Sequence, residues 1–358
     1  MSIYEQRLDA DKKEIRDRIA EVGRRVEQAM VDAVHALLTR DEPQAYATML
    51  GDLPINREVR AIDKLCHGFV ARHLPSAGHL RFISSVLRMN IALERVGDYA
   101  VTICRESVHL KSPPPPDLEG HIRGLADEAI TYLRQAVRAF VQGDADLARE
   151  TKAAARTFAR RYDEVHRALL DSEGKRALSD ELALFAIFNK LDRVADQAKN
   201  ICEETVFAVT GEAKAPKVYR VLFVDSRDTL LGPLAQAIAR KAFPESGRYE
   251  SQGFAPGEAI APEAIATAAD LGLDLTGVTP ERLVPGPAAL DVYHVIVGLV
   301  PGAGRHLGER PFQCVFLEWD LPKLPEQGPL EPALRAVCQQ LSGHIHDLMV
   351  TLRGDQAR

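Results

Sequence analysis

The sequence predicts a two-part protein, an all-α repeat of two three-helix bundles followed by an α/β domain with a four-stranded parallel sheet. Three observations carry this expectation. Residues 93–108, LERVGDYAVTICRESV, recur at 191–206 as LDRVADQAKNICEETV, with nine of sixteen positions identical and a constant offset of 98. Up to about residue 212 the apolar residues keep a helical period, as in Ile15, Ile19, Val22, Val26, Met30, Ala33 and Leu37. From Val218 onward, short β-branched runs alternate with helical stretches.

In the helical part the breaks are short. They fall at Asp41-Glu42-Pro43, at His73 to Gly78, at the four prolines Pro113 to Pro116, at Gly143-Asp144 and at Ser172 to Lys175. These delimit six helices, three in repeat one (1–112) and three in repeat two (117–212), with the stiff proline run as connector. Asp63 and Asp163 occupy comparable places ahead of an apolar helix end in the two halves. A polar stretch, 213–217, ends the helical part as a linker. In the second part, 218–358, strands are expected at 218–224, 248–253, 292–300 and 314–319, with helices after the first, at 262–272, and from about 331 to 352.

Composition narrows the function. The chain has 358 residues, 46% of them hydrophobic, enough for two cores. A net charge of -6 offers no basic field, so nucleic acid is not an expected partner. The opening MSIYEQRLDADKKEIRDRI is charged throughout, and no stretch nears the roughly 18 apolar residues of a membrane span; a cytoplasmic protein without membrane insertion is expected. The five cysteines form no CxxC pair, which argues against a disulfide framework or zinc knuckle. Cys104 and Cys202, equivalent in the repeat, read as small apolar packing residues.

Each copy of the repeated helix carries an acid, three spacers and an aspartate: Glu94 with Asp98, and Asp192 with Asp196. On a helix such residues lie about 5–6 Å apart on one side, and like charges so placed repel by a few tenths of a kcal/mol without a counterion. The plainest reading of one such pair is a solvated acidic face. Its repetition points instead to a cation site. With Leu93, Val96, Ala100 and Ile103 forming the buried stripe, the carboxylates fall on the opposite, open side. All-oxygen ligands suit Mg²⁺, Mn²⁺, Ca²⁺ or iron better than zinc, and the absence of histidine from both pairs disfavours ferritin-like di-iron chemistry.

The doubled ERVGD and DRVAD helices, preceded by INREVRAID and RRYDEV, resemble the PhoU family of phosphate-signalling regulators over about residues 1–212. The resemblance implies a cytoplasmic protein, often dimeric, that binds metal through these acid pairs. It also implies contact with a sensor histidine kinase and a phosphate transporter, repressing phosphate-starvation signalling. It makes Glu94, Asp98, Asp192 and Asp196 the metal candidates, with divalent metal or iron as cofactor and no organic one. Asn90, one turn before Glu94, is an additional candidate; its counterpart in repeat two is Phe188.

The second part resembles the low-molecular-weight protein tyrosine phosphatases and the related thioredoxin-coupled arsenate reductases. The landmarks are FVDSRDTLLGPLAQAIARKAF, SQGF, ATAADLGLDLTG and EWDLP, in that order. That chemistry needs a cysteine thiolate and an arginine clamp. Here Asp225 stands at the cysteine position and Leu231 at the arginine position, with Ser226, Arg227 and Asp228 in the loop between them. The late general-acid aspartate falls at Lys323-Leu324. A carboxylate about 4 Å from a phosphate oxygen costs on the order of 4 kcal/mol at an effective dielectric near 20. The loop is thus expected to bind phosphate poorly, with Asp225 facing the helix N–H groups near Gly232-Pro233 in its place.

The expectation is a non-enzymatic adaptor with a pseudophosphatase domain. The competing reading is an active phosphatase or arsenate reductase with a helical regulatory domain. A second enzyme reading, the haloacid-dehalogenase DxDx(T/V) loop, places Arg227 where the second acid belongs. His294 reads as a tolerated strand residue, and His344 and His346 as facing different sides of one helix. Trp319 is expected to pack the sheet end against the terminal helix, and Arg24-Arg25 and Arg160-Arg161 to decorate helix surfaces.

Overall fold

The computed structural model describes residues 3–155, 158, 177–214, 216–311, 314–325 and 330–358. The chain divides into two compact units, Met1–Lys214 and Ala215–Arg358.

The first unit is helical: α1 (Ile3–Thr39), α2 (Glu42–His73), α3 (Ala77–His109), α4 (Pro116–Gln142), α5 (Ala145–Ala155) and α6 (Leu178–Thr210). The breaks expected up to Gly143-Asp144 are where the helices stop, and each has a local cause. Asp41 caps α2 by accepting from the Gln44 N–H at 3.0 Å, with Pro43 in the first turn. Asp144 accepts from the N–H groups of Asp146 and Leu147 to open α5. After α3, the Lys111 and Ser112 N–H groups donate to the buried Asp180 carboxylate at 3.1 and 3.2 Å, which fastens the proline connector to the start of α6. The Ser172–Lys175 turn, Asp163 and Arg160-Arg161 lie outside the described residues.

Packing follows the stripes. Leu93, Val96, Ala100, Ile103 and Cys104 of α3 and Leu191, Val194, Ala198, Ile201 and Cys202 of α6 are all wholly buried in one continuous core. α3 and α6 make the most extensive helix pair of the unit, while α2 packs on α1 and α3. Burial pushes the Cys104 thiol up to about 11 and the Cys202 thiol up to about 12, which leaves both inert as nucleophiles.

The second unit holds a sheet of β1 (Tyr219–Asp225), β2 (Gly247–Gly253), β3 (Val295–Gly298) and β4 (Val315–Glu318), ordered β2-β1-β3-β4 with every pairing parallel. One face is covered by α7 (Leu231–Ala242), α8 (Pro262–Asp270) and α10 (Leu330–Arg353). The other is covered by a largely irregular segment that includes the four-residue α9 (Pro287–Leu290) and places Leu283, Leu290, Tyr293, Ala303 and Leu307 against Leu222, Val224 and Ile296. β3 is shorter than the apolar run 292–300 suggests. The paired residues start at Val295; the Tyr293 N–H bonds back to Leu290, and the His294 ring accepts the Arg220 N–H while the His294 N–H donates to the Arg220 carbonyl. Trp319 stacks on His344 of α10 at 5.1 Å and meets Phe223 of β1 at 6.0 Å, while His346 meets Phe243.

Leu93→Ala hollows the repeated stripe where it is fully buried, and is expected to cost about 2–5 kcal/mol. Urea unfolding followed by far-ultraviolet circular dichroism checks this, and an unchanged midpoint would show that the stripe does not hold the bundle.

Candidate functional site

The acid pairs sit on the helices as the period requires, but not equally open. Asp98 is exposed, whereas Glu94, Asp192 and Asp196 are half-buried. Asn90 is wholly buried and turned to α2, donating its amide to the Val59 carbonyl at 2.7 Å and to Asp63 Oδ1 at 2.8 Å.

A third carboxylate, absent from the sequence-based candidates, lies beside Glu94 and Asp98. Asp52 of α2 is 8% exposed, and one of its oxygens accepts from the Asn56 amide at 2.6 Å. Its other oxygen, Oδ1, lies against α3 so closely that a Cβ at Gly97 would be 2.7 Å from it. Burial first, then the negative charges of Asp98 and Glu94, raise the Asp52 pKa above the ordinary carboxylate value. The signal was readable: Asp52 lies among Ala45, Thr48, Ile55, Val59 and Ile62 on the buried stripe of α2, where helical spacing calls for an apolar side chain.

Three acceptor oxygens on this seam, Asp52 Oδ1, Asn56 Oδ1 and Asn90 Oδ1, are buried without a hydrogen-bond partner. Buried acceptors are ordinarily satisfied, so an excess of them beside two more carboxylates fits a hard cation. As the side chains stand, no three His, Cys, Asp or Glu groups among the described residues converge closely enough to hold one ion. The oxygen donors are of the kind a hard cation takes, but these side chains would have to turn to close on one. Around the second pair, Lys199 Nζ is 2.6 Å from Asp196 Oδ1.

The loop between β1 and α7 is organised around Asp225. The carbonyls of Asp225, Ser226, Arg227 and Thr229 accept from Phe254, Ala255, Gly257 and Ala261, which pins the loop from outside. Its N–H groups turn inward. Gly232 N donates to Asp225 Oδ2 at 2.9 Å and Asp228 N donates to Asp225 Oδ1. The Asp225 carboxylate thus fills the anion cradle at the N-terminus of α7, as its position in the sequence suggested. Burial raises its pKa, and the surrounding backbone N–H donors offset part of that rise.

Asp228 is fully buried in left-handed backbone, φ 53°, and accepts from the Glu281 N–H at 2.8 Å through Oδ2. Its Oδ1 has no partner and faces Gly232, where a Cβ would approach to 2.5 Å. Burial, with the Asp225 charge adding to it, pushes Asp228 up to about 7. Ser226 is half-buried, Arg227 points to solvent, and Leu231 is half-buried in the first turn of α7. No side chain in the 225–231 loop supplies a thiolate, and its one cation, Arg227, is exposed.

Asp228 generates a pH dependence. Unfolded, it ionises near 3.8, while folded it keeps its proton to about 7. Between those values the native state binds the extra proton, so stability of the α/β unit is expected to fall as pH rises from about 4 to about 7 and to level off above. Asp228→Asn should flatten that slope, as read by urea unfolding monitored through Trp319 fluorescence; an identical slope in the variant would assign it to other groups.

Comparison with known proteins identifies relatives of the helical unit. The PhoU domain model matches residues 19–107 and 122–205. A phosphate-specific transport system accessory protein PhoU homolog of Pseudomonas putida is 33% identical over 209 residues, 58% of this chain and 82% of that protein. The crystal structure of PhoU from Pseudomonas aeruginosa is 31% identical, with a TM-score of 0.55, covering 57% of this chain and 99% of that one. In the remainder, structural neighbours include an arsenate reductase in the phosphate binding state, 23% identical with a TM-score of 0.31 over 38% of this chain and 99% of that one.

Proposed function

The chain belongs to the PhoU family, and on that premise we propose that it is an accessory protein of phosphate-specific transport that restrains phosphate uptake and phosphate-starvation signalling by stoichiometric contact, without catalysis. The observation that carries this is the helical unit, whose alignment with a relative of that name extends over most of the relative's length. Its partners are the phosphate transporter and a sensor histidine kinase, and it works in the cytoplasm as a homodimer. No described helix is long and apolar enough to cross a membrane, which agrees with a partner that meets the transporter from outside the bilayer.

The acid-pair surface of α3 and α6 binds a divalent cation or iron. Asp52, Glu94 and Asp98 would hold such an ion, which would supply positive charge against their carboxylates. The buried acceptor oxygens on that seam support this. Without an ion, the same side chains leave a patch of negative charge whose repulsion works against close packing of the two helices.

The α/β unit is a pseudophosphatase domain. A nucleophile must approach phosphorus, but Asp225 spends both carboxylate oxygens on the loop's own N–H groups. The thiolate and the arginine clamp are replaced by Asp225 and Leu231.

Two experiments test this reading. The Asp98→Ala/Asp196→Ala double variant should lose the manganese or iron that the purified protein carries while keeping its helical circular dichroism; retention of full metal content would refute the acid-pair assignment. The purified 358-residue chain should hydrolyse p-nitrophenyl phosphate at the buffer rate, and turnover abolished by Asp225→Ala would return the domain to the enzymes.

A further inference from the structure

At one end of the helical unit, the start of α3 meets the flank of α1 and the last turns of α4 and α6 around an open cavity of about 420 Å³. Its wall carries four basic side chains, Lys12 and Arg16 of α1 and His79 and Arg81 of α3, beside an apolar floor of Phe82 and Phe140. The two rings are buried and stack at 5.8 Å with 17° between their planes.

The basic groups crowd one another. Lys12 and Arg16, one helical turn apart, share a single ring: Lys12 Nζ and Arg16 Cζ stand 5.1 and 5.0 Å from the Phe82 centroid. Burial first, then the Arg16 charge, lowers the Lys12 pKa, and burial first, then the Lys12 charge, lowers that of His79. Exposed Asp9 draws on both electrostatically without forming an ion pair with either. Among the described residues none of the four side chains is in a salt bridge. Three of their nitrogens, Arg16 Nε, Arg81 Nε and His79 Nδ1, are buried without a hydrogen-bond partner. Buried polar atoms are ordinarily satisfied, and an arginine Nε can only donate, so the wall lacks acceptors.

Basic side chains near helix C-termini commonly serve the open carbonyls there. These do not. Gly143 and Gly211, both in left-handed backbone, close α4 and α6 with their own N–H groups on the carbonyls of Ala139, Phe140 and Phe207. Arg81 lies against Gly211, where a Cβ would be 3.3 Å from its Cζ, yet among the described residues it bonds no carbonyl of that helix end.

We propose that this cavity is an anion site that takes a phosphate group, free or at the end of a small phosphate ester, between Arg16 and Arg81 with Lys12 and His79 beside it. A guanidinium holds a phosphate edge-on through Nε and a terminal nitrogen, which gives each orphaned Nε its acceptor. Three cationic side chains on one wall match a multiply charged oxyanion better than the single charge of a carboxylate. The cavity has the size of a small-molecule site and leaves room beside the apolar floor for the organic part of an ester. Its residues belong neither to the metal reading nor to the pseudophosphatase reading, so it stands or falls apart from both.

The test is isothermal titration calorimetry on the purified 358-residue chain, stripped of metal with chelator so that no bound cation holds the anion, at constant ionic strength. Inorganic phosphate and adenosine monophosphate are the probes, and at least one should bind saturably at one site per chain. Tighter binding of the ester would show that the room beyond the phosphate is used, and equal binding that the phosphate group alone is read. Arg16→Gln and Arg81→Gln should each weaken binding about tenfold or more with helical circular dichroism unchanged. Lys12→Gln supplies the same reading should either arginine variant lose its helical signal. Arg227→Gln, in the loop after β1, should bind as wild type does. Unchanged affinity in the helical-unit variants, or a loss confined to Arg227→Gln, would place the anion elsewhere and overturn the site. A wild-type chain that takes up neither probe would overturn it outright.

Discussion

The helical unit depends on one packing constraint, the burial of the same apolar stripe twice. Leu93, Val96, Ala100 and Ile103 on α3, and Leu191, Val194, Ala198 and Ile201 on α6, are removed completely from water. Each Leu, Ile or Val so buried contributes about 1.5–3 kcal/mol relative to exposure, far more than the few tenths that two neighbouring carboxylates cost by repelling each other. The stripe therefore decides how each helix is rotated, and the acids accept whatever side remains. Arg88 reaches across to Glu204 at 3.0 Å. That surface ion pair adds little beside the core.

Buried negative charge is the second theme, and the two units resolve it differently. On the α2–α3 seam, Asp52 keeps one oxygen bonded to Asn56 and one with no donor. In the α/β unit, Asp225 is more enclosed still but has backbone N–H groups on both oxygens. The first arrangement leaves an acceptor oxygen without a donor. The second is complete in itself, and the adjoining Asp228 adapts by holding its proton.

Much of the fold was legible in the sequence because the period of the apolar residues changes so cleanly near residue 213. The helix ends were legible for chemical reasons: Asp41 before Pro43 and Gly143 before Asp144 announce caps. What resisted reading was structure without a period. The segment over the second face of the sheet contributes Leu283, Leu290 and Leu307 from irregular backbone, so no spacing betrays it. Strand β3 begins late because the Tyr293 N–H turns back to the Leu290 carbonyl, a choice that an apolar run does not reveal. At the site, the doubled acid pairs and Asp225 were visible as residue types in a pattern. Asp52 was visible only as a breach of one, an acid where the stripe of α2 calls for a hydrocarbon.

The carboxylate in the loop after β1 has one more consequence. An ordinary phosphate cradle is filled in proportion to the phosphate around it, and its loop orders and relaxes accordingly. A side chain joined to the same loop is present at an effective concentration set by its tether, which bulk solute does not alter. On the proposed pseudophosphatase reading the cradle of this domain would be full in starvation and in plenty alike. Its shape would carry no record of phosphate supply, and a partner that recognised this surface would meet the same face in every nutritional state.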